Sequence, residues 1–235
     1  MSEAGRITGV YFDPKKAFAD IAARPRNWFV PLILMIVAAW AFNYTYTTRI
    51  GWERYIRQTM ENNPRTQNMP AEQRETSIAQ GAKFAPIFGY AGAAVFIPVA
   101  ALVIGGVVLL TGKMMGATLN FKQMFTIGAY GMLPGLISSI LAIVVMFIKN
   151  PDEFNLQNPL AFNLGAFMEP PPSSGKFVYS LASSIDLFSF WTILLLAVGI
   201  TAASRKTPFS KALTAVVLPW VVFILVKGAW TSAFG

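Results

Sequence analysis

Long apolar runs, separated by short polar segments, dominate the pattern of the chain. Five runs reach the length of about 20 mostly apolar residues that a membrane-spanning helix needs. They cover residues 28–47, 84–111, 125–148, 177–203 and 212–230. The first three runs are uncharged, whereas the fourth contains Asp186 and the fifth contains Lys227. The pattern predicts an all-α, polytopic membrane protein, a bundle of five transmembrane helices with short interfacial helices.

The segment before the first run contains a helix start. Asp13 suits the N-cap position and Pro14 the first helical position, and Ala17, Phe18 and Ile21 then share one face. Two interpretations are open: a helix that lies on the inner membrane surface, or a short helix that packs against the inner end of the bundle. We therefore divide the chain into an N-terminal cytoplasmic segment with an interfacial helix, residues 1–27, and a five-span membrane domain, residues 28–235.

The two predicted outer loops also contain local structure. In the first loop a four-residue apolar spacing from Trp52 predicts a helix that ends at residues 62–64. A second polar helix, residues 70–80, is expected to lead into the second span. The second loop has a helix start at Asn158, followed by an apolar segment too short to span a membrane, which we expect to enter the interface or to cap the bundle.

Composition narrows the range of functions. Of the 235 residues 54% are hydrophobic and 13% are charged, whereas soluble domains carry about 25% charged residues. The chain contains no His and no Cys, which excludes His-based triads, Cys nucleophiles and zinc, haem or iron–sulfur sites built on those ligands. We therefore expect no catalytic residues, no cofactor and no metal site, and predict that the protein is not an enzyme.

The basic residues indicate a partner and an orientation. The net charge is +8, but the bases flank the predicted spans, so anionic lipid headgroups are expected as partners rather than nucleic acid. The predicted inner loops are short, basic and free of acids. The first 27 residues lack the pattern of a cleavable signal peptide. We predict a cytoplasmic N-terminus and an outside C-terminus. The predicted membrane-surface bases are Lys15, Lys16, Arg24, Arg26, Arg205 and Lys206.

Asp186 and Lys227 are the charged residues within the predicted spans. Counted from the loop that joins the last two spans, they lie at nearly equal depth, toward the outer leaflet. A charge within a membrane usually has a partner or a wet cavity, so we expect an ion pair that fixes the register of these helices. Two alternatives stay open: an interfacial Asp186 with a Lys227 that reaches the headgroups, and a transport role for Asp186.

Small residues and prolines recur within the spans. Gly128, Gly131 and Gly135 line part of the third span, and the last two have the GxxxG spacing that lets helices approach closely. Such glycines pack spans within one bundle or form a homodimer, and both interpretations are open. Pro134 lies inside the third span, Pro98 inside the second and Pro219 inside the fifth, so we expect kinks there.

Several segments, taken together, resemble the Yip family, small multi-span proteins first described as partners of Rab-type GTPases. These segments are Gly9-Val10-Tyr11-Phe12-Asp13-Pro14, Ala129-Tyr130-Gly131-Met132-Leu133-Pro134, Asp186-Leu187-Phe188-Ser189-Phe190-Trp191 and the basic turn Arg205-Lys206. The resemblance implies five spans and a cytoplasmic N-terminus. Eukaryotic relatives are associated with vesicle traffic and membrane shaping. They carry an Asp-Leu-Tyr-Gly-Pro segment and a longer N-terminal region, which this chain lacks, so it resembles the bacterial branch.

The functional expectation follows from these observations together. We expect a protein of the bacterial inner membrane that acts as a membrane-organising or protein-interaction scaffold without catalytic activity. Its expected partners are membrane lipids and either an unidentified membrane protein or a second copy of the chain. The alternative is a small transporter or channel subunit that uses Asp186 and the proline-kinked spans.

Overall fold

The computed structural model describes residues 1–61, 66, 69–156, 158–169, 171 and 174–234, and within them the fold is all-α. The helices, in chain order, are α1 (Glu3–Phe12), α2 (Pro14–Ala23), α3 (Phe29–Arg49), α4 (Trp52–Glu61), α5 (Ala71–Met114), α6 (Phe121–Gly131), α7 (Pro134–Ile148), α8 (Lys176–Ser184), α9 (Leu187–Ala203) and α10 (Phe209–Phe234). Two 3₁₀ turns, Pro151–Glu153 and Leu164–Phe167, lie between α7 and α8.

The helices have the length and composition of membrane spans. Four described segments are long and apolar enough to cross a bilayer, namely α3, α5, the combined α6–α7 segment and α10. The apolar α9 is shorter, with 17 residues. Large apolar side chains are exposed along these helices, as a lipid environment allows. The all-α polytopic prediction is confirmed, and the fourth predicted span accounts for the difference in span count.

Two predicted spans are each divided into two helices. The third span is interrupted at Met132 and Leu133, and Pro134 begins α7 instead of lying inside a helix. The fourth span is interrupted between Ser184 and Leu187, so the single helix predicted over 177–203 is wrong. The physical reason is local: Pro lacks the N–H that a continuous helix needs, and Asp favours an N-cap over a helix interior.

The first outer loop follows the prediction. The helix from Trp52 forms as α4, although its predicted end at residues 62–64 lies outside the described residues. The predicted polar helix is continuous with the second span, so α5 contains 44 residues. At about 1.5 Å per residue it is roughly 65 Å long, about twice the hydrocarbon thickness. We call α4 and residues 71–83 of α5, which pack together, the arm.

The second outer loop forms a cap, although no helix begins at Asn158. Its 3₁₀ turn Leu164–Phe167 packs on α8. The backbone N–H of Leu187 donates to the Phe162 carbonyl at 3.0 Å, and an isolated bridge pairs Asn163 with Asp186. The capping alternative is therefore the one that the structure supports.

The first two helices form a hairpin that is part of the core. The hairpin packs on α6 and α9, and Ala17, Phe18 and Ile21 are fully buried there. They share one cluster with Ile127 and Ile200 of the spans. Of the two interpretations of α2, the structure supports packing against the bundle. We call this end of the molecule, with loops 115–120 and 204–208, the hairpin end, and the opposite end the arm end.

The glycines of the third span contact different neighbours. A Cβ added at Gly128 would lie 3.4 Å from the Ala101 carbonyl of α5, and one at Gly131 would lie 2.7 Å from Leu196 Cδ2 of α9. Gly135 has open space around it. Gly105 of α5 meets the α6 backbone, since its added Cβ would lie 2.8 Å from Phe125 Cα. Gly128 and Gly131 therefore pack helices within one bundle.

The close approach at Gly105 gives the first prediction. Gly105→Ala places a methyl group against backbone that cannot move aside, and we expect a loss of about 1–3 kcal/mol of stability. Gly106→Ala is the matched control, because an added Cβ there meets nothing within 4 Å. We expect it to be neutral, or to stabilise by up to about 1 kcal/mol through helix propensity. Thermal unfolding in detergent measures both, and equal melting temperatures would contradict the packing described.

Candidate functional site

A buried arginine organises the hairpin end. The Arg6 side chain on α1 has no exposed surface, and its Nε donates to Asp20 Oδ2 of α2 at 2.8 Å. Its Nη2 donates to the Arg24 carbonyl at 3.0 Å and its Nη1 to the Arg26 carbonyl at 3.2 Å. The guanidinium thus joins α1, α2 and the turn into α3, and its charge is compensated, as a buried charge requires.

The Asp20 carboxylate is the centre of the ion pairs around Arg6. Oδ1 accepts from the Met1 amino group at 2.9 Å and from the Arg24 guanidinium, while Oδ2 accepts from Arg6. Burial alone would raise the pKa of Asp20, but these charged donors lower that pKa well below its usual range. Asp20 is therefore ionised at neutral pH and holds the hairpin closed.

A second part of the network connects the hairpin to the spans. Tyr130 of α6 donates its hydroxyl to Glu3 Oε2 at 2.7 Å, and Asn27 Nδ2 donates to Glu3 Oε1 at 2.6 Å. Asn27 has a φ of 58°, a left-handed conformation that Asn tolerates better than most residues. Burial raises the pKa of Glu3, but the hydrogen bonds from Tyr130 and Asn27 lower it, and the net shift is downward.

Tyr11 reaches the break in the third span. Its hydroxyl donates to the Leu133 carbonyl at 2.8 Å, immediately before Pro134, and its ring meets Trp191 of α9 edge-on. Burial raises the pKa of Tyr11 to about 12, so it remains a protonated donor at neutral pH. Tyr11 therefore binds at the break between α6 and α7, where Pro134 begins α7.

The six predicted membrane-surface bases all lie at the hairpin end and are exposed: Lys15, Lys16, Arg24, Arg26, Arg205 and Lys206. A groove of about 810 Å³ opens there between α2, the last turns of α9 and the start of α10. Lys15 and Arg205 line it, together with small apolar side chains of α2 and α9. The structure brings these two bases together in a way that their sequence positions do not suggest.

Asp186 and Lys227 bind different groups in the structure. Asp186 caps α9, since its Oδ1 accepts from the backbone N–H groups of Phe188 at 2.9 Å and Ser189 at 3.0 Å, and its Oδ2 accepts from the Ser189 hydroxyl. Lys227 Nζ donates to Ser184 Oγ at 2.8 Å. The expected direct ion pair is not among the contacts within 4 Å in the described part of the chain. The helix break turns the carboxylate toward its own helix.

Sequence reasoning missed the centre of this site. The sequence does not predict Arg6, Glu3, Asn27 and Tyr130 as partners, because they lie up to 127 positions apart and no shared motif links them. One signal in the sequence could have predicted the burial of Arg6. Three and four positions after it on the same short helix stand a small residue, Gly9, and an apolar residue, Val10. Helical periodicity places Arg6 on the same face as Gly9 and Val10, which are buried.

Removal of the Arg6 side chain should release the hairpin. Arg6→Met leaves Asp20 Oδ2 and the carbonyls of Arg24 and Arg26 without their donor, and we expect a loss of about 3–5 kcal/mol. Arg24→Gln is the matched control, because Arg24 binds the same carboxylate but is 53% exposed, and its loss should cost at most about 1 kcal/mol. Trypsin cleavage after Lys15 and Lys16 reports hairpin opening. Equal cleavage rates for the two variants would refute the role of Arg6.

The cap at Asp186 predicts a pattern of substitutions. Asp186→Ala removes the N-cap of α9 and should cost about 0.5–2 kcal/mol, whereas Asp186→Asn keeps a capping oxygen and should cost much less. An ion pair with Lys227 would make both variants equally harmful, since both remove the charge. Thermal unfolding in detergent distinguishes the two outcomes.

Comparison with known proteins agrees with this architecture. The family model described as the Yip1 domain matches residues 8–229. The chain is 27% identical over 237 aligned positions to the membrane protein YknW of Bacillus subtilis strain 168, covering 100% of this chain and 94% of that protein. No solved structure matches significantly. With a family match over nearly its whole length and a helical, multi-span fold, this chain belongs to the Yip1 domain family of membrane proteins.

Proposed function

We propose that this protein is a non-catalytic membrane scaffold that presents the arm to a membrane-protein partner, either another protein or a second copy of the chain. The observation that carries the proposal is the length of α5, which exceeds what a bilayer requires and continues without a break in the helix into the arm. A helix that projects beyond the membrane offers a binding surface and requires no chemistry.

The arm is braced by charged side chains. Arg57 of α4 binds Glu75 of α5 with both terminal nitrogens, Nη1 to Oε1 at 2.5 Å and Nη2 to Oε2 at 2.9 Å. The hydrogen bonds with Glu75 and Glu53 raise the pKa of Arg57, and the hydrogen bond from Arg57 lowers that of Glu75. Ile56 of α4 contacts Gly81, where an added Cβ would lie 3.0 Å from its Cδ1. The arm is therefore a supported two-helix unit.

The surroundings of Asp186 favour a scaffold over a transporter or channel subunit. Both carboxylate oxygens accept hydrogen bonds from the first turn of α9, so the carboxylate has a structural use. The large groove lies at the hairpin end and is lined by none of the residues around Asp186. A coupling carboxylate would instead face a wet cavity.

The proposal includes an orientation and a location. The N-terminus and the hairpin end face the cytoplasm of a bacterium, the protein lies in the inner membrane, and the arm end and the C-terminus face outward. The short basic loops at the hairpin end support this orientation. Anionic lipids of the inner leaflet would then meet the exposed bases at the hairpin end.

In-cell photocrosslinking tests the scaffold. A photoreactive amino acid at the exposed Gln80 of the arm should give a discrete adduct with one membrane protein, and the same probe at Thr118 on the hairpin end should not. Arg57→Gln should greatly reduce the adduct because it removes the brace. Arg74→Gln is the matched control. It removes the same charge from the arm, but Arg74 forms no ion pair within 4 Å in the described residues.

Two crosslinking results would contradict the proposal that the arm is a binding surface, and a flux result would favour a transporter. Adducts of equal yield from both probe positions, or equal loss in both arginine variants, would mean that the arm is no selective binding surface. Proteoliposomes test the transporter: ion or solute flux that exceeds that of empty vesicles and disappears in Asp186→Asn would replace the scaffold with the alternative.

A further inference from the structure

The groove at the hairpin end has the chemistry of an amphiphile site. Its lining combines two bases, Lys15 and Arg205, with the small or apolar residues Ala19, Ala22, Val198 and Phe209. In the part of the chain that the structure describes, no acidic residue lines it. A ligand that fills this groove must therefore present an anionic group and an apolar body together.

The two bases are available to a ligand. Lys15 and Arg205 are exposed, and neither takes part in an ion pair within 4 Å among the described residues. The carboxylate of Asp20 is already bound by Arg6, Arg24 and the Met1 amino group, and that of Asp13 accepts from the backbone N–H of Lys16 at the start of α2. The rim of the groove is thus positively charged without compensation.

The other polar side chains of the lining, Gln123 and Thr201, already bind groups of the protein. Gln123 Nε2 donates to the Ala22 carbonyl at 3.0 Å, and its Oε1 accepts from Asn120 at 2.7 Å. The Thr201 hydroxyl donates to the Ala197 carbonyl at 2.7 Å. A wholly polar anion such as inorganic phosphate would find the two cations but would lose hydration against the apolar floor.

The groove lies where lipid headgroups are expected. Phe209 lines it and is also the first residue of α10, which is a candidate membrane span. The volume of about 810 Å³ falls within the usual range for small-molecule sites of roughly 300–1,000 Å³. The groove can therefore take a headgroup with the upper part of its acyl chains while the rest remains in the bilayer.

We infer that this groove binds one anionic phospholipid, with its phosphate between Lys15 and Arg205 and its acyl chains against the alanines of α2 and α9. The inference goes beyond the proposed scaffold, because it concerns the opposite end of the molecule and does not depend on the arm. It also explains why the hairpin must be docked: α2 forms one wall, and its position depends on Arg6.

Native mass spectrometry of the full chain in detergent tests the lipid site. Titration with phosphatidylglycerol should give a single retained lipid, and phosphatidylcholine should be retained far more weakly. The double variant Lys15→Gln with Arg205→Gln should weaken phosphatidylglycerol binding about 30-fold, as expected when two cations near a headgroup are lost. Ala19→Trp fills the groove at an exposed position without a change in charge, and should also prevent retention.

A charge-matched control separates the groove from general surface attraction. Lys113→Gln with Lys211→Gln removes two exposed bases near this end that do not line the groove and are not among the six predicted membrane-surface bases, and should leave binding unchanged. Equal weakening in both double variants, or full retention in Ala19→Trp, would overturn the site. Displacement of the lipid by glycerol phosphate at equal concentration would identify a site for soluble phosphates instead. Unchanged melting temperatures exclude misfolding, and arm crosslinking remains an independent readout.

Discussion

The buried guanidinium of Arg6 is the constraint on which the hairpin end depends. Its charge is satisfied only when Asp20 and the carbonyls of Arg24 and Arg26 are in place together. Because an uncompensated buried charge costs several kcal/mol, this one contact couples the hairpin, the turn before α3 and the direction in which the first span enters the bundle.

The two ends of the molecule differ in the contacts that hold their helices together. At the hairpin end, the buried apolar face of α2 shares a core with α6 and α9, and a groove opens beside it. At the arm end, the helices meet through exposed ion pairs such as that of Arg57 with Glu75. Exposed pairs are usually weak, but Arg57 binds Glu75 with two nitrogens and also binds Glu53, so the arm depends on this network as well as on the continuity of α5. The molecule offers surfaces at both ends, which fits a protein that acts through contacts.

The apolar runs predicted correctly that this is a membrane protein, but they did not predict where the helices break. A run of about 20 apolar residues indicates a segment in lipid whether or not its helix is continuous. The interruptions before Pro134 and at Asp186 therefore do not change the hydrophobic pattern. The depth count predicted nearly equal depths for Asp186 and Lys227. It could not predict that Asp186 would cap a new helix, because depth along a helix carries no information about where that helix begins.

The sequence by itself determined the membrane class and the apolar segments, the start of α2 at Asp13 and Pro14, and the family, since these depend on local composition and spacing. Only the tertiary structure decided that Arg6 is buried, that Tyr130 binds Glu3, and that the groove joins bases from α2 and the loop after α9. These pairings join residues far apart in the chain. They depend on how the helices rotate and approach one another, and no local pattern of residues specifies that.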